Sequence, residues 1–186
     1  MAARPWDNPY GMRHVQVFLA AALALSLFIL GIALMLPGRY EASVIISVQA
    51  SPEAVWIALT APEAYPSWRS EIAKVELEPS GAWIEMDGEG GRYRHRANAD
   101  SLPGKFVDSF ETVGNPGNRG VTLAPPAAAG EREILLLTDA DDRTRVAVRE
   151  KGTIRGAWAK LRARAWDGYN AGVEKFGEDL KRRMAE

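Results

Sequence analysis

Cysteine is absent from the 186 residues. That excludes disulfides, a thiol nucleophile and cysteine-ligated zinc or iron–sulfur sites. Histidine is scarce: only His14 and His95 occur, and His14 borders an apolar run. A lone histidine in the polar part of the chain, with no second ligand at metal spacing, leaves no metal site to expect. Other motifs are missing as well. "DADD" at 139–142 lacks the glycine and the distal glutamate of a calcium loop. "GEGG" and "GNPG" do not link a strand to a helix, so no phosphate-cradling loop is present. No serine sits in a nucleophile-elbow context. The net charge of −1 excludes a globally basic, nucleic-acid-type balance. No cofactor, no metal and no nucleic-acid partner are therefore expected, and no catalytic residue is nominated.

Charge is also missing locally. Residues 15–36, "VQVFLAAALALSLFILGIALML", hold 22 residues without a charge. As a helix they span about 33 Å against a hydrocarbon core of about 30 Å. A cleaved signal peptide is the competing reading, with Gly31-Ile32-Ala33 as a small-x-small site, but the run is long for such a segment. A retained single-pass anchor is expected. The chain then divides into a tail (1–14), a transmembrane helix (15–36) and a soluble domain (40–186). Trp6, Tyr10 and Tyr40 flank the span as candidate interfacial anchors. Arg4 and Arg13 precede it and Arg39 follows, which points to a cytoplasmic N-terminus and a domain across the membrane.

The soluble part opens with a strand-like alternation, "RYEASVIISVQA". "SPEAVWIALTAPEAYPSWRSEI" follows, from Ser51 to Ile72. Ser51 is an N-cap, Pro52 suits the first helical position, and Glu53 meets the positive end of the dipole. Pro62 breaks this helix, and "PEAYPSW" makes a second short one. Six strand-like runs follow: "IAKVELEP", "AWIEMDG", "GRYRHRANAD", "GKFVDSFETV", "EREILLLTDAD" and "TRVAVREKG". Tight-turn residues join several of them, which favours an antiparallel meander. The stretch 114–130 is rich in Gly, Pro and Ala and reads as a long loop. Trp158, Leu161, Ala165, Tyr169, Val173, Phe176, Leu180 and Met184 recur every three or four residues. They predict an amphipathic helix of about 29 residues.

This order, together with "VIISVQASPEAVWIALTAPEAYPSWRSEIAKVE" and "TRVAVREKGTIRG" before a long helix, resembles the START/birch-pollen-allergen (SRPBCC, polyketide cyclase/dehydrase-like) superfamily. The resemblance spans about residues 40–183. It implies an α+β helix-grip fold: a curved antiparallel sheet around a long C-terminal helix, with two short helices after the first strand. The transmembrane helix is an addition to that pattern.

Such a sheet can leave a cavity against its helix. Alternation nominates Ile84 and Met86, Tyr93 and His95, Phe106 and Phe110, Leu135 and Leu137, Val146 and Val148 as inward, with Leu161, Tyr169, Val173 and Phe176 from the helix. A one-residue slip would exchange the faces. Ordinary core packing is the simpler role for each residue. Trp56 and Trp68 would plug one end of the grip. Arg92, Arg94 and Arg96 share the face opposite His95. Glu150 is expected in an ion pair. Arg155, Lys160, Arg162 and Arg164 form a basic cluster suited to lipid headgroups or an acidic partner.

The leading expectation is a membrane-anchored domain that binds a hydrophobic, lipid- or isoprenoid-like ligand. An accessory subunit of a membrane complex is the alternative, with Ala20, Ala21, Ala22, Ala24, Gly31 and Ala33 allowing close helix contact. A cyclase or aromatase ranks last, since it needs Tyr93, His95 and Glu150 to converge. Arginine outnumbers lysine 17 to 6, which suits a GC-rich bacterial source and hence a bacterial inner membrane, with the domain on the periplasmic side.

Overall fold

The computed structural model describes residues 9–98, 104–113, 127–138, 143–164, 168 and 170–186. The chain divides into two units, Met1–Leu36 and Pro37–Glu186. The first contains one helix, α1 (Pro9–Met35), whose stretch His14–Met35 is long and apolar enough to cross a membrane.

In the second unit β1 (Arg39–Val48) leads into α2 (Pro52–Thr60). Ser51 caps α2 as expected: its backbone is extended and its hydroxyl accepts from the Ala54 amide at 3.3 Å. Pro62 opens a 3₁₀ turn (Pro62–Ala64), and α3 (Tyr65–Trp68) follows. The meander then runs β2 (Ile72–Leu77), β3 (Trp83–Asp87), β4 (Arg92–Ala97), β5 (Lys105–Thr112), β6 (Ala127–Thr138) and β7 (Thr144–Arg155). The β3–β4 turn is tied by Asp87, whose Oδ1 accepts from the Glu89 and Gly91 amides at 2.9 and 2.7 Å. All pairings are antiparallel, in the order β1-β7-β6-β5-β4-β3-β2.

Two expectations need correction. The stretch 114–130 is not all loop: Ala127–Gly130 belong to β6 and pair with β7, and Ala129 and Gly130 pair with β5 as well. The rest of it, 114–126, lies outside the described residues. The long C-terminal helix is interrupted, giving α4 (Ala157–Arg162) and α5 (Ala171–Arg183). Gly168 has φ +62, a left-handed conformation that a right-handed helix does not contain.

The inner face of the sheet is built in rows, one residue per strand. Val44, Val148, Ile134 and Phe106 are successive partners, and Ile46, Val146 and Leu136 form the row beside them. Onto these rows α5 sets Val173, Phe176 and Leu180, and α2 sets Val55 and Leu59, all buried in one cluster. Gly177 lets α5 approach closely: a Cβ there would lie 3.1 Å from Ile46 Cγ2. Asp179 ties α5 to the α3–β2 turn, accepting from the Ser70 amide at 2.7 Å and its hydroxyl at 2.9 Å. Trp68 closes the end of this core edge-on to Phe176, and Trp56 packs half-buried beside Phe106, as the plug reading expected.

Gly130 and Gly152 face each other across β6 and β7. A Cβ on Gly130 would meet the Lys151 carbonyl oxygen and lie 2.7 Å from Phe110 Cζ; one on Gly152 would lie 2.7 Å from the Tyr40 ring. Two aromatic rings thus lie against the glycines. Gly130→Ala is expected to destabilise the domain by about 1–3 kcal/mol, because a backbone oxygen has to move. Gly172→Ala, with nothing within 4 Å of the new methyl, is expected to be neutral or to stabilise by up to about 1 kcal/mol. Urea midpoints of the two variants check the contrast, and equal losses would refute it.

Candidate functional site

One row beyond the apolar floor, the inner face becomes ionic. Ala42, Glu150, Arg132 and Asp108 are successive strand partners. Arg132 donates from Nε and Nη2 to Glu150 Oε2 at 3.0 and 2.8 Å, and Tyr40 Oη donates to Glu150 Oε1 at 2.7 Å. Asp108 Oδ2 lies 2.7 Å from His95 Nδ1, while His95 Nε2 lies 3.5 Å from Glu85 Oε2. Glu85 also accepts from Trp83 Nε1 at 3.0 Å and, through both oxygens, from Arg69 Nη1 at 2.9 Å. Arg69 Nη2 reaches Glu71 at 2.7 Å. The Phe176 ring connects the two halves, with the Arg69 and Arg132 guanidinium carbons 5.5 and 5.4 Å from its centroid.

The next row is aromatic and glycine: Tyr40, Gly152, Gly130, Phe110, His95 and Trp83 are partners across six strands. The Trp83 and His95 rings stack at 5.5 Å, and those of His95 and Phe110 at 5.8 Å. His95 is only 4% exposed, so it belongs to the interior wall.

Burial disfavours charge, so these ions persist only because each faces an opposite one. For Glu85, burial acts to raise the carboxyl, but Arg69 and then His95 and Arg132 outweigh it and hold it below its ordinary value. Burial pulls the Arg69 and Arg132 guanidinium groups down, but Glu85 with Glu71 at Arg69, and Glu150 with Asp108 and Glu85 at Arg132, together more than offset it. Burial, then Glu150, drive the Tyr40 hydroxyl far up, so it serves as a neutral donor. Two buried donors, Trp68 Nε1 and Arg69 Nε, have no partner among the described residues. The wall offers fixed donors and acceptors in a water-poor setting, an arrangement that can orient a polar group without rearrangement. Among the described residues, no three His, Asp or Glu side chains are grouped to hold a metal.

Of the residues nominated from sequence, Tyr93, His95, Phe106, Phe110, Val146 and Val148 are on the inner face, and Val173 and Phe176 face the core from α5. Leu161 is half-buried on α4, and Tyr169 lies outside the described residues. Four need correction. Leu135 and Leu137 belong to the outer face, where Leu137 is 51% exposed, and Ile134 and Leu136 point inward instead. Ile84 and Met86 are also outer: Ile84 pairs with Arg94 and Met86 with Arg92, whose side chains bind Glu78 and Glu76 outside. The runs "ILLL" and "WIEM" have apolar residues of both parities, so alternation could not choose a face. Tyr40, nominated as an interfacial anchor, instead lies on the inner wall.

Arg69, Glu85, Asp108 and Arg132 were missed. A signal existed for Asp108, which shares parity with Phe106 and Phe110 and so had to point inward with them. Glu150 shares parity with Val146 and Val148, and its expected ion pair is present. Nothing local marked Arg69, whose partners Glu85 and Phe176 come from distant parts of the chain.

Cavities outlined by the described residues border the aromatic row in two places. One of about 420 Å³ is lined by Arg94, Arg96, Ser109 and Glu111 together with His95, Phe110 and Gly130, and one of about 650 Å³ by Arg39, Glu41 and Lys151 together with Tyr40, Gly130 and Gly152. A groove of about 440 Å³ runs along Ala54, Ala58, Trp68 and Met184.

Residues 49–182 match the family model described as Activator of Hsp90 ATPase homolog 1-like protein. Among curated proteins no match was found. Several solved structures share the fold. A conserved protein from Geobacillus kaustophilus is 17% identical, with 78% of this chain and 95% of that one covered and a TM-score of 0.62. The Zhui aromatase/cyclase from Streptomyces sp. R1128 is 16% identical, with 79% and 94% covered and a TM-score of 0.59. A START superfamily protein from Mycobacterium smegmatis is 16% identical, with 78% and 97% covered and a TM-score of 0.56. The row-built sheet, the α2–α3 plug and the clasped α5 agree with these matches, and the chain belongs to the Activator of Hsp90 ATPase homolog 1-like family, within the START/SRPBCC helix-grip superfamily.

Proposed function

We propose that this domain binds an amphipathic ligand of lipid or isoprenoid type, and that α1 holds it at the membrane from which the ligand is drawn. Helix-grip domains of this class typically bind hydrophobic small molecules. The observation that carries the proposal is the stacking of two rows: an ionic row of Asp108, Arg132 and Glu150 under an aromatic row of Tyr40, Phe110, His95 and Trp83. A sheet whose only task was to hold its helix would be apolar throughout, because buried ions seldom add stability over apolar residues of equal volume. In this reading Tyr93, Phe110 and Leu161 meet the apolar body, and His95 with the Tyr40–Glu150–Arg132 group meets the polar end. The ligand lies towards α4, because the space beneath the ionic row is filled by Val148, Ile134, Phe106 and Phe176. Holding the domain at the bilayer raises the effective concentration of a membrane-dissolved ligand. The positive charges around the span favour the periplasmic side for the domain in this proposal.

Native mass spectrometry and lipid extraction of the full chain, purified in mild detergent, test this. A copurifying small molecule is expected, with occupancy at least about tenfold lower in Tyr93→Ala, a loss of about 1.4 kcal/mol of affinity. A ligand-free wild-type protein with native near-ultraviolet circular dichroism would refute it. Intact mass tests the anchor separately: a species cleaved after Ala33 would identify α1 as a signal sequence.

A further inference from the structure

We infer that a basic collar at the start of β1 rests on an anionic lipid surface. The inference depends on α1 being a membrane anchor. Residues 151–166 contain Lys151, Arg155, Lys160, Arg162 and Arg164 and no acidic residue, with Trp158 and Trp166 interleaved. Tryptophan and basic residues together are the composition of a membrane interface. Strand pairing carries this distant stretch back to the residues that follow α1. Arg39 pairs with Thr153, the Ile154 amide donates to the Gly38 carbonyl at 2.7 Å, and a Cβ on Gly38 would lie 3.7 Å from Lys160 Cδ. Arg39, Arg155 and Lys160 therefore gather around Gly38.

Several cations elsewhere on the domain are neutralised locally. Arg92, Arg94, Arg132 and Arg149 each have a carboxylate partner. Arg39, Arg155 and Arg164 are exposed and form no ion pair among the described residues. The first pairs at this end of the strands, Arg39–Thr153 and Ala127–Arg155, contain no acid, and Glu41 and Glu131 first appear beside Lys151.

The covalent chain supplies the partner. Only Leu36, Pro37 and Gly38 separate Met35, the end of α1, from Arg39. Four residue steps reach at most about 14 Å. A Debye length is about 8–10 Å at physiological salt. With Met35 at the edge of the bilayer, the tether keeps Arg39 within about one to two Debye lengths of the headgroups, whereas an acidic protein would have to compete for that place. Arg155, Lys160 and Arg164 lie far beyond the residues that set topology during insertion, so the collar is compatible with either orientation.

The test uses the full chain in nanodiscs of phosphatidylcholine alone or mixed with phosphatidylglycerol, read by amide hydrogen exchange over 153–162. Each basic residue near an anionic surface strengthens association about fivefold. Exchange about fivefold or more slower in the mixed discs is expected, abolished by high salt. Arg39→Gln/Arg155→Gln/Lys160→Gln should lose the difference, and Arg39→Lys/Arg155→Lys should keep it. Equal exchange in both discs by a chain that resists alkaline extraction would overturn the collar alone. A chain released by alkaline extraction would overturn the anchor and the collar with it. Protection seen only in native membranes, and not in pure phosphatidylglycerol discs, would assign the patch to an acidic protein and refute the lipid surface.

Discussion

Arg69→Met will lower the unfolding free energy by about 3–5 kcal/mol. The reason is the carboxylate left behind. Glu85 is 2% exposed, takes both its strongest bonds from Arg69 Nη1, and would be an uncompensated ion in a water-poor interior. Lost packing of the guanidinium on Tyr65 and Phe176 adds to this. The double variant Arg69→Met/Glu85→Met should recover much of the loss, since replacing a whole buried pair by apolar groups is often neutral. Unfolding of the full chain in mild detergent, followed by near-ultraviolet circular dichroism, measures both. A single variant within 1 kcal/mol of wild type would mean that water already screens the pair.

The same pair sets an acid limit. Glu85 is held below its ordinary value of 4.5, so its ionised form contributes stability that is complete above about pH 4.5 and is lost as pH falls through the lowered native value. Without Arg69, burial becomes the dominant influence, and it favours the protonated acid. In Arg69→Met the rise of stability with pH through this window should shrink or reverse. An unchanged slope would show that other carboxylates dominate acid unfolding.

Phe176→Ala should cost about 3–5 kcal/mol, the usual loss for a buried phenyl ring. The ring is 3% exposed, meets Trp68 edge-on at 5.8 Å, and has the Arg69 and Arg132 guanidinium carbons 5.5 and 5.4 Å from its centroid. Phe176→Leu separates these contributions. It keeps most of the buried area but removes the π-face, so a smaller loss of about 1–2 kcal/mol is expected. If both variants lose equally, the cations draw nothing from the ring and only its volume matters. Phe176 is where α5 joins the charged half of the sheet, so Phe176→Ala should also loosen both salt bridges, visible as faster exchange of the β6 amides.

How far the chain could be read depended on whether each signal was local. The Ser51-Pro52 helix start and the Pro62 break are decided within four residues, and all appear as read. The six strand runs were found for the same reason. Face assignment held where one parity was clearly apolar, as in Phe106 and Phe110 or Val146 and Val148. It failed in "ILLL" and "WIEM", where both parities are apolar and only pairing with a neighbouring strand chooses. The C-terminal helix was overextended because a repeat of three and four residues continues through Gly168, whose positive φ leaves no trace in that pattern.

By itself, the order of residues determined the class of this molecule: an apolar helix of membrane length, a capped helix pair after one strand, a meander, and a final amphipathic helix. These follow from hydrophobic period and turn chemistry, which act between near neighbours. Only the tertiary structure decided that the interior is layered, with ions over an apolar floor and aromatic rings over the ions. Arg69, Glu85, His95, Asp108, Arg132 and Glu150 come from five strands and one turn; alternation pointed His95, Asp108 and Glu150 inward, but nothing local paired any of the six with its partner across the sheet. Their burial is tolerable only once folding brings opposite charges within 3–4 Å of one another, and that distance is set by strand register and sheet curvature.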